Sequence, residues 1–324
     1  MKYSRRNFLH LAAGVAWLSR SDIGWAQIYP ARPVRIIVGF AAGGTQDIVA
    51  RLIGQSLSEH LGQQFIVENR PGANSNLAIE AVVRSSADGY TLGVVGIANV
   101  LNAALFERSN FDLGSDLAMV AGLSSSPLVL EVHPALPVNT VSELIDYAKA
   151  NPGKLTIASY GTGSISHVAA ELFKAATGVS TLHVPYRGSA PMLTDLLGGQ
   201  VQSAFDNLPA SVEHVKAGRL RALAVTTASR SEVLPDIPSL GELLTGYEAS
   251  AFFGIAAPKA TPVAIVGKLS DAISAILTSP KVVRRLEELG GAPLVLSPAA
   301  FGKLIDEEYD KWGKVIKAAQ IKAD

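Results

Sequence analysis

The chain has 324 residues, 48% of them apolar and only 17% charged, with 28 Lys and Arg against 28 Asp and Glu and no cysteine. Zero net charge without a Lys/Arg-dense stretch argues against nucleic acid as a partner, because phosphate binding needs a basic stripe. The missing cysteines exclude thiolate nucleophiles, iron–sulfur clusters and cysteine-ligated zinc, and a chain of about two domains buries enough surface to do without disulfides or a structural metal.

Residues 1–26 read as a cleavable export signal. Ser4-Arg5-Arg6-Asn7-Phe8-Leu9 precedes a short apolar run over 11–18, and Gly24-Trp25-Ala26 sets small residues at the spacing a signal peptidase needs. The run is too short to span roughly 30 Å of hydrocarbon. The paired arginines followed by Phe-Leu resemble the twin-arginine signal, with His10 where lysine is usual. An ordinary secretory signal containing two arginines is the alternative. The leader holds Lys2, Arg5, Arg6 and Arg20 against Asp22, so the body that remains after cleavage is acidic by three charges. Its expected location is the periplasm.

From Pro33 onward, strands and helices alternate. The apolar, β-branched run over 34–39 reads as a buried strand. The loop Phe40-Ala41-Ala42-Gly43-Gly44 follows. Over 45–61, apolar Ile48, Leu52, Ile53 and Leu57 show helical spacing, and Gly62 stops the helix. Residues 65–68 form the next strand and Pro71-Gly72 a turn. Such a strand–helix–strand unit predicts parallel pairing through a right-handed crossover.

The pattern then recurs. A strand over 155–160, the small-residue loop Gly161-Thr162-Gly163-Ser164, a helix over 168–176 ended by Gly178, a strand over 181–185 and the turn Arg187-Gly188 repeat the first unit. Gly62 with Gly178, and Gly72 with Gly188, are each 116 residues apart. The strands over 90–96 and 201–206 occupy corresponding places. The expectation is an α/β protein of two similar lobes, with a ligand crevice where the strand ends of both sheets meet. The chain is expected to cross at Ser124-Ser125-Ser126-Pro127 and to return near Tyr247–Ser250, before a strand over 252–256 and helices over 261–277, 280–289 and 298–317. Lobe one is then 27–126 plus 250–324, and lobe two 127–249.

Each small-residue loop exposes backbone N–H groups at a helix start, where the dipole favours an anion. With the hydroxyls of Thr45 or Ser164, a few such groups can hold a carboxylate without an arginine. Neither loop carries the phosphate-loop lysine or the dinucleotide spacing. Asp47 in the first helical turn either faces the ligand or simply complements the dipole. Ser164 and His167 share a helix face, and Asp206 ends a strand; a hydrolase using these three is the alternative to a binding protein. The Gly-Thr-Gly-Ser sequence is not a nucleophile elbow, which favours His167 as a hydrogen-bonding residue beside the cleft. His60, His133, His183 and His214 lack metal-ligand spacing, and neither a metal nor a cofactor is expected.

Six separated stretches, Val38 to Asp47 with Ala50-Arg51, Glu68 to Ala73, Asp88 to Leu92, Gly161 to His167, Val184 to Pro191 and Asp195 to Gly199, resemble in order the signatures of the tripartite tricarboxylate transporter substrate-binding proteins, the Bug family. The resemblance implies a two-lobe periplasmic binding fold of type II that closes on a small mono- or dicarboxylate, amino acid or aromatic acid. It implies a monomer, not an enzyme, that delivers the ligand to membrane permease subunits; a sensory receptor docking on a membrane kinase is the alternative of the same fold. By the same matching, Phe40, Gly43, Gly44 and Thr45 would clamp the ligand with Gly161, Thr162 and Ser164. Asp206 and the loop after Gly72 would read its distal end. There the family usually has glycines, whereas this chain has Asn74-Ser75-Asn76. Arg187, in place of a frequent lysine, reads as a surface charge.

Overall fold

The computed structural model describes residues 29–105 and 110–321, so the expected leader lies outside the described residues. β1 (Val34–Val38) is buried except at Arg35 and pairs in parallel with β2 (Phe65–Asn69) and β3 (Thr91–Gly96). Between β1 and β2 runs α1 (Thr45–Leu61), which ends where Gly62 turns left-handed at φ 71°. Its core face carries Val49, Ile53 and Leu57, while Ile48 and Leu52 are only half-buried. The apolar stripe is therefore turned slightly from the one the spacing suggests. α2 (Asn76–Val83) and α3 (Ile97–Leu105) complete this part.

The second unit repeats the arrangement. β5 (Thr156–Ser159) pairs in parallel with β6 (Leu182–Pro185) and β7 (Ser203–Asn207). Their connections are α5 (Ile165–Thr177) and α6 (Ser189–Leu197). α5 has 13 residues where α1 has 17, one turn less. That difference brings the loops into register as Phe40 with Tyr160, Gly43 with Gly163 and Asp47 with His167.

The two units join through strands and not through loops. β4 (Leu117–Val132) pairs antiparallel with β9 (Ser250–Pro258) as far as Pro127, then with β7 and β8 (Arg221–Val225) from Leu128 onward. The serine run at the expected crossing is thus β-structure: Ser124 to Ser126 face Phe253 to Ala251, and β10 (Ala292–Pro293) pairs with Ser124 and Ser125 on the other side. Serine is small enough to sit between two strands, and the ladder satisfies its backbone. Each half has the same strand order: three parallel strands, an antiparallel one, then a fifth antiparallel to that. The parallel pairing expected within each strand–helix–strand unit holds, and the added antiparallel strands make the sheet mixed.

Flanking these are α4 (Val141–Ala150), α7 (Leu208–Lys216), α8 (Val263–Leu277), α9 (Pro280–Glu288) and α10 (Pro298–Ala318). α8 and α10 pack on the first half through Leu269, Ile273, Phe301 and Trp312, all nearly fully buried. Among the described residues, no single helix is long and apolar enough to cross a membrane.

Candidate functional site

The loop after β1 is held from its own helix and from β2. Gly39 donates its N–H to Gln46 Oε1 at 3.0 Å, and Gly43 donates to Asp47 Oδ2 at 2.9 Å. Asn69 Nδ2 reaches both the Phe40 carbonyl and Asp47 Oδ1, while Arg51 donates to Asp47 and Asn69. Burial alone would raise the Asp47 pKa. Hydrogen bonds from Arg51, the Gly43 N–H and Asn69 outweigh it and hold the carboxyl below its ordinary value.

The loop after β5 solves the same problem with other side chains. Ser164 caps α5, accepting the His167 N–H and donating to the Gly161 carbonyl at 2.6 Å. Gly163 donates its N–H to His167 Nδ1 at 3.2 Å, the counterpart of Gly43 and Asp47. Gly43 and Gly163 take φ values of 88° and 77°, a left-handed turn that aims each N–H back at its helix. His167 also stacks on His183, with ring centroids 4.2 Å apart.

Between the two loops lies a cavity of about 890 Å³. Gly39 and Phe40 line it from one side, and Tyr160, Gly161 and Thr162 from the other. Gly72, Ala73, Asn74 and Asn76, with Glu80 and Asn102, line it further; Tyr186 and Arg187 also contribute. Arg187 is the basic side chain of the described lining and is itself exposed. The rims touch where Ser189 at the start of α6 meets Gly44, and Gly188 meets Ala41.

Of the residues the sequence singles out, Phe40, Asn74, Gly161 and Thr162 line the cavity. Gly43, Gly44, Thr45, Asp47, Ser75, Ser164 and His167 are not in the lining, and all but Gly43 are buried. Thr45 is 2% exposed and its hydroxyl has no hydrogen-bond partner among the described residues. Ser75 packs beneath Gly39 with its hydroxyl unpaired.

Asp206 is not among the residues that line the cavity. Its side chain is fully buried and accepts from Ser189 Oγ, the Asn207 N–H and Ser211 Oγ. Both of its oxygens accept hydrogen bonds from within the protein. Ser211 also reaches Glu131 at 2.8 Å, so two buried carboxyl groups share one hydroxyl. Burial raises the Asp206 pKa to about 7, and burial together with the Asp206 charge pushes Glu131 well above its usual range. The hydrolase alternative also fails on geometry. Ser164 Oγ donates to the Gly161 carbonyl and His167 Nδ1 accepts from the Gly163 N–H, which is the pattern of a helix cap and not of a serine activated by a histidine.

Sequence reasoning missed Tyr160, Asn102, Glu80 and Tyr186 as lining. Tyr160 was legible as the position matching Phe40 once the shorter second helix is allowed for. Asn102 and Glu80 carry no local signal, since each reaches the cleft from a helix face.

Residues 49–321 match the model of the tripartite tricarboxylate transporter family receptor. The chain is 36% identical over 302 residues to Protein BugT of Bordetella pertussis, covering 92% of each. Among solved structures it is similar to R. palustris Rpa4515 with adipate, with a TM-score of 0.88 at 40% identity over 91% of this chain and 99% of that one. It is also similar to MatC from Rhodopseudomonas palustris with bound malate, with a TM-score of 0.84 at 33% identity over 89% and 100%. These relatives are solute-binding proteins and not enzymes.

Proposed function

The chain belongs to the tripartite tricarboxylate transporter family of receptors, and we propose that it is an exported receptor that captures a small carboxylate for the membrane subunits of such a transporter. The observation that carries this reading is the cavity walled by two equivalent strand–loop–helix units, Gly39-Phe40 and Tyr160-Gly161-Thr162. Helix starts on both sides lend partial positive charge, and Arg187 adds a formal one. The aromatic rings of Phe40 and Tyr160 suit the carbon chain between polar ends. In this reading the lobes are 27–126 with 250–324 and 127–249, turning about β4 at Pro127/Leu128 and the start of β9. The family description favours transport over signalling to a kinase.

A thermal-shift screen of the cleaved protein against carboxylates tests the ligand class. A ligand at 100 times its Kd adds about 2.7 kcal/mol of stability. Phosphates or sugars shifting the transition where no carboxylate does would overturn it. N-terminal sequencing of the exported protein tests cleavage after Ala26, and replacing Arg5 and Arg6 by lysine distinguishes twin-arginine from general export.

A further inference from the structure

Three consecutive non-glycine residues at the end of the cavity, Ala73, Asn74 and Ser75, have φ values of 45°, 47° and 78°. Left-handed backbone of this kind costs free energy and persists where the surroundings hold it, commonly at ligand clamps. Here Asn102 is the holder. Its Nδ2 donates to the carbonyls of Ala73 and Asn74, at 3.3 and 2.9 Å.

That contact fixes a chain of amide orientations. Carbonyl oxygens only accept, so the NH2 of Asn102 must face them and its Oδ1 must face the other way. Asn102 Oδ1 in turn meets Asn74 Nδ2 at 3.2 Å. Asn74 therefore has its donor end committed to Asn102, and turning its amide over would set two oxygens against each other. Its Oδ1 is left over, buried and without a hydrogen-bond partner. This atom stands where Asn74 meets Gly161 across the cavity, 3.5 Å from where a β-carbon on Gly161 would lie. Glu80, in the same end of the lining, presents a carboxylate already engaged by Asn110 and Arg84. Asn74 Oδ1 and the Glu80 carboxylate are acceptors in this stretch of the lining, and the Tyr186 carbonyl, 3.6 Å from the same point at Gly161, is a third.

We propose that Asn74 is a specificity-determining residue that selects a carboxylate whose far end carries a hydrogen-bond donor, a hydroxyl, ammonium or carboxamide, over a plain dicarboxylate. The inference rests on the carboxylate-receptor reading and narrows its substrate class. A donor at this end satisfies the orphan oxygen. A second carboxylate sets acceptor against acceptor beside Glu80 and leaves both unpaired.

Calorimetric titration of the cleaved protein with dicarboxylates, their half-amides and the corresponding ω-hydroxy acids, matched in chain length and fully ionised, tests this. Donor-bearing members are expected to bind about tenfold or more tighter than the dicarboxylate, the scale of one buried hydrogen bond gained and one orphan relieved. Asn74→Gly keeps a residue that accepts the left-handed backbone, so the fold is preserved. It should erase the difference by weakening the donor-bearing ligands alone. Asn102→Ala keeps Asn74 but removes what orients it, and should narrow the same ratio. Equal affinity of dicarboxylate and half-amide for the wild type, or an equal loss of all ligands in Asn74→Gly, overturns the inference while leaving the carboxylate reading intact. If no carboxylate of any series binds, the carboxylate reading falls and this inference with it.

Discussion

The rings of Phe40 and Tyr160 meet edge to face, with centroids 5.7 Å apart and planes at 85°. Each residue follows the end of an equivalent strand, β1 or β5, so the contact joins the two halves of the molecule at the floor of the cavity. Both rings are largely buried, and the Tyr160 hydroxyl accepts from Asn207 Nδ2 at 3.2 Å. Burial, with the nearby Asp206 charge adding to it, raises the phenol pKa far out of reach, so Tyr160 stays neutral.

Phe40→Ala removes an aromatic pair worth about 0.5–1.5 kcal/mol beyond its buried area. Carboxylate affinity should fall roughly tenfold, and urea denaturation should show a loss of about 2–4 kcal/mol. Tyr160→Phe keeps the ring and should bind within about threefold of wild type. Unchanged affinity in Phe40→Ala would remove the ring pair from the binding floor.

Asp47 shapes its loop by accepting from Gly43, Asn69 and Arg51 at once. Asp47→Ala strands those donors and should cost about 1–3 kcal/mol while also weakening binding. Because the folded pKa is lowered, this stabilisation is present above the ordinary carboxylate pKa and fades as pH drops through the folded value. The gap between wild type and Asp47→Ala should therefore close on acidification. A gap that held constant into acid would show that the charge is not what holds the loop.

Gly188 has φ 131°, and a β-carbon there would lie 3.1 Å from the Ala41 nitrogen on the opposing rim. Gly188→Ala forces the rims apart. Affinity should drop by about an order of magnitude or more, with the slower association measurable by stopped flow. The far-UV spectrum should be preserved. Full affinity in this variant would show that the rim contact does not accompany binding.

Glu131 and Asp206 share the single proton of Ser211, which cannot serve two carboxylates together. One of the pair holds a proton that the unfolded chain would release. Their folded pKa values are raised, so their contribution is fully present below the ordinary carboxylate pKa. It is lost as pH climbs, through about 3.8 to about 7 for Asp206 and higher for Glu131. Glu131→Gln removes the need for that proton. Its stability relative to wild type should improve steadily as pH is raised from about 5 to 8, read as the urea midpoint at each pH. A pH-independent difference would mean the pair does not titrate together.

How far the sequence reached differs by element. The β1–α1 unit was legible almost to the residue, because Pro33, the β-branched run, the small-residue loop and Gly62 all act locally. α4 and α6 were not singled out, although Thr140 with Glu143 caps one and Gly188 and Gly198 flank the other. At the centre of β4 the sequence marked Ser124 to Pro127 as a crossing without showing what structure it takes. Only the partners on either side, β9 and β10, make that stretch a strand.

By itself the sequence determined the two repeated strand–loop–helix units, the family resemblance and the loops that border the cleft. These are properties of short segments, where spacing and turn chemistry act between near neighbours. The tertiary structure alone decided which side chains face the cavity. It withdrew Asp206 into a buried hydrogen-bond cluster, set Asp47 to holding Gly43, and brought Asn102 from a distant helix to orient Asn74. Hydrogen-bond partners in a folded protein are chosen by proximity in space, and a buried polar group takes whichever partner the packing delivers. Composition excluded nucleic acid and thiol chemistry.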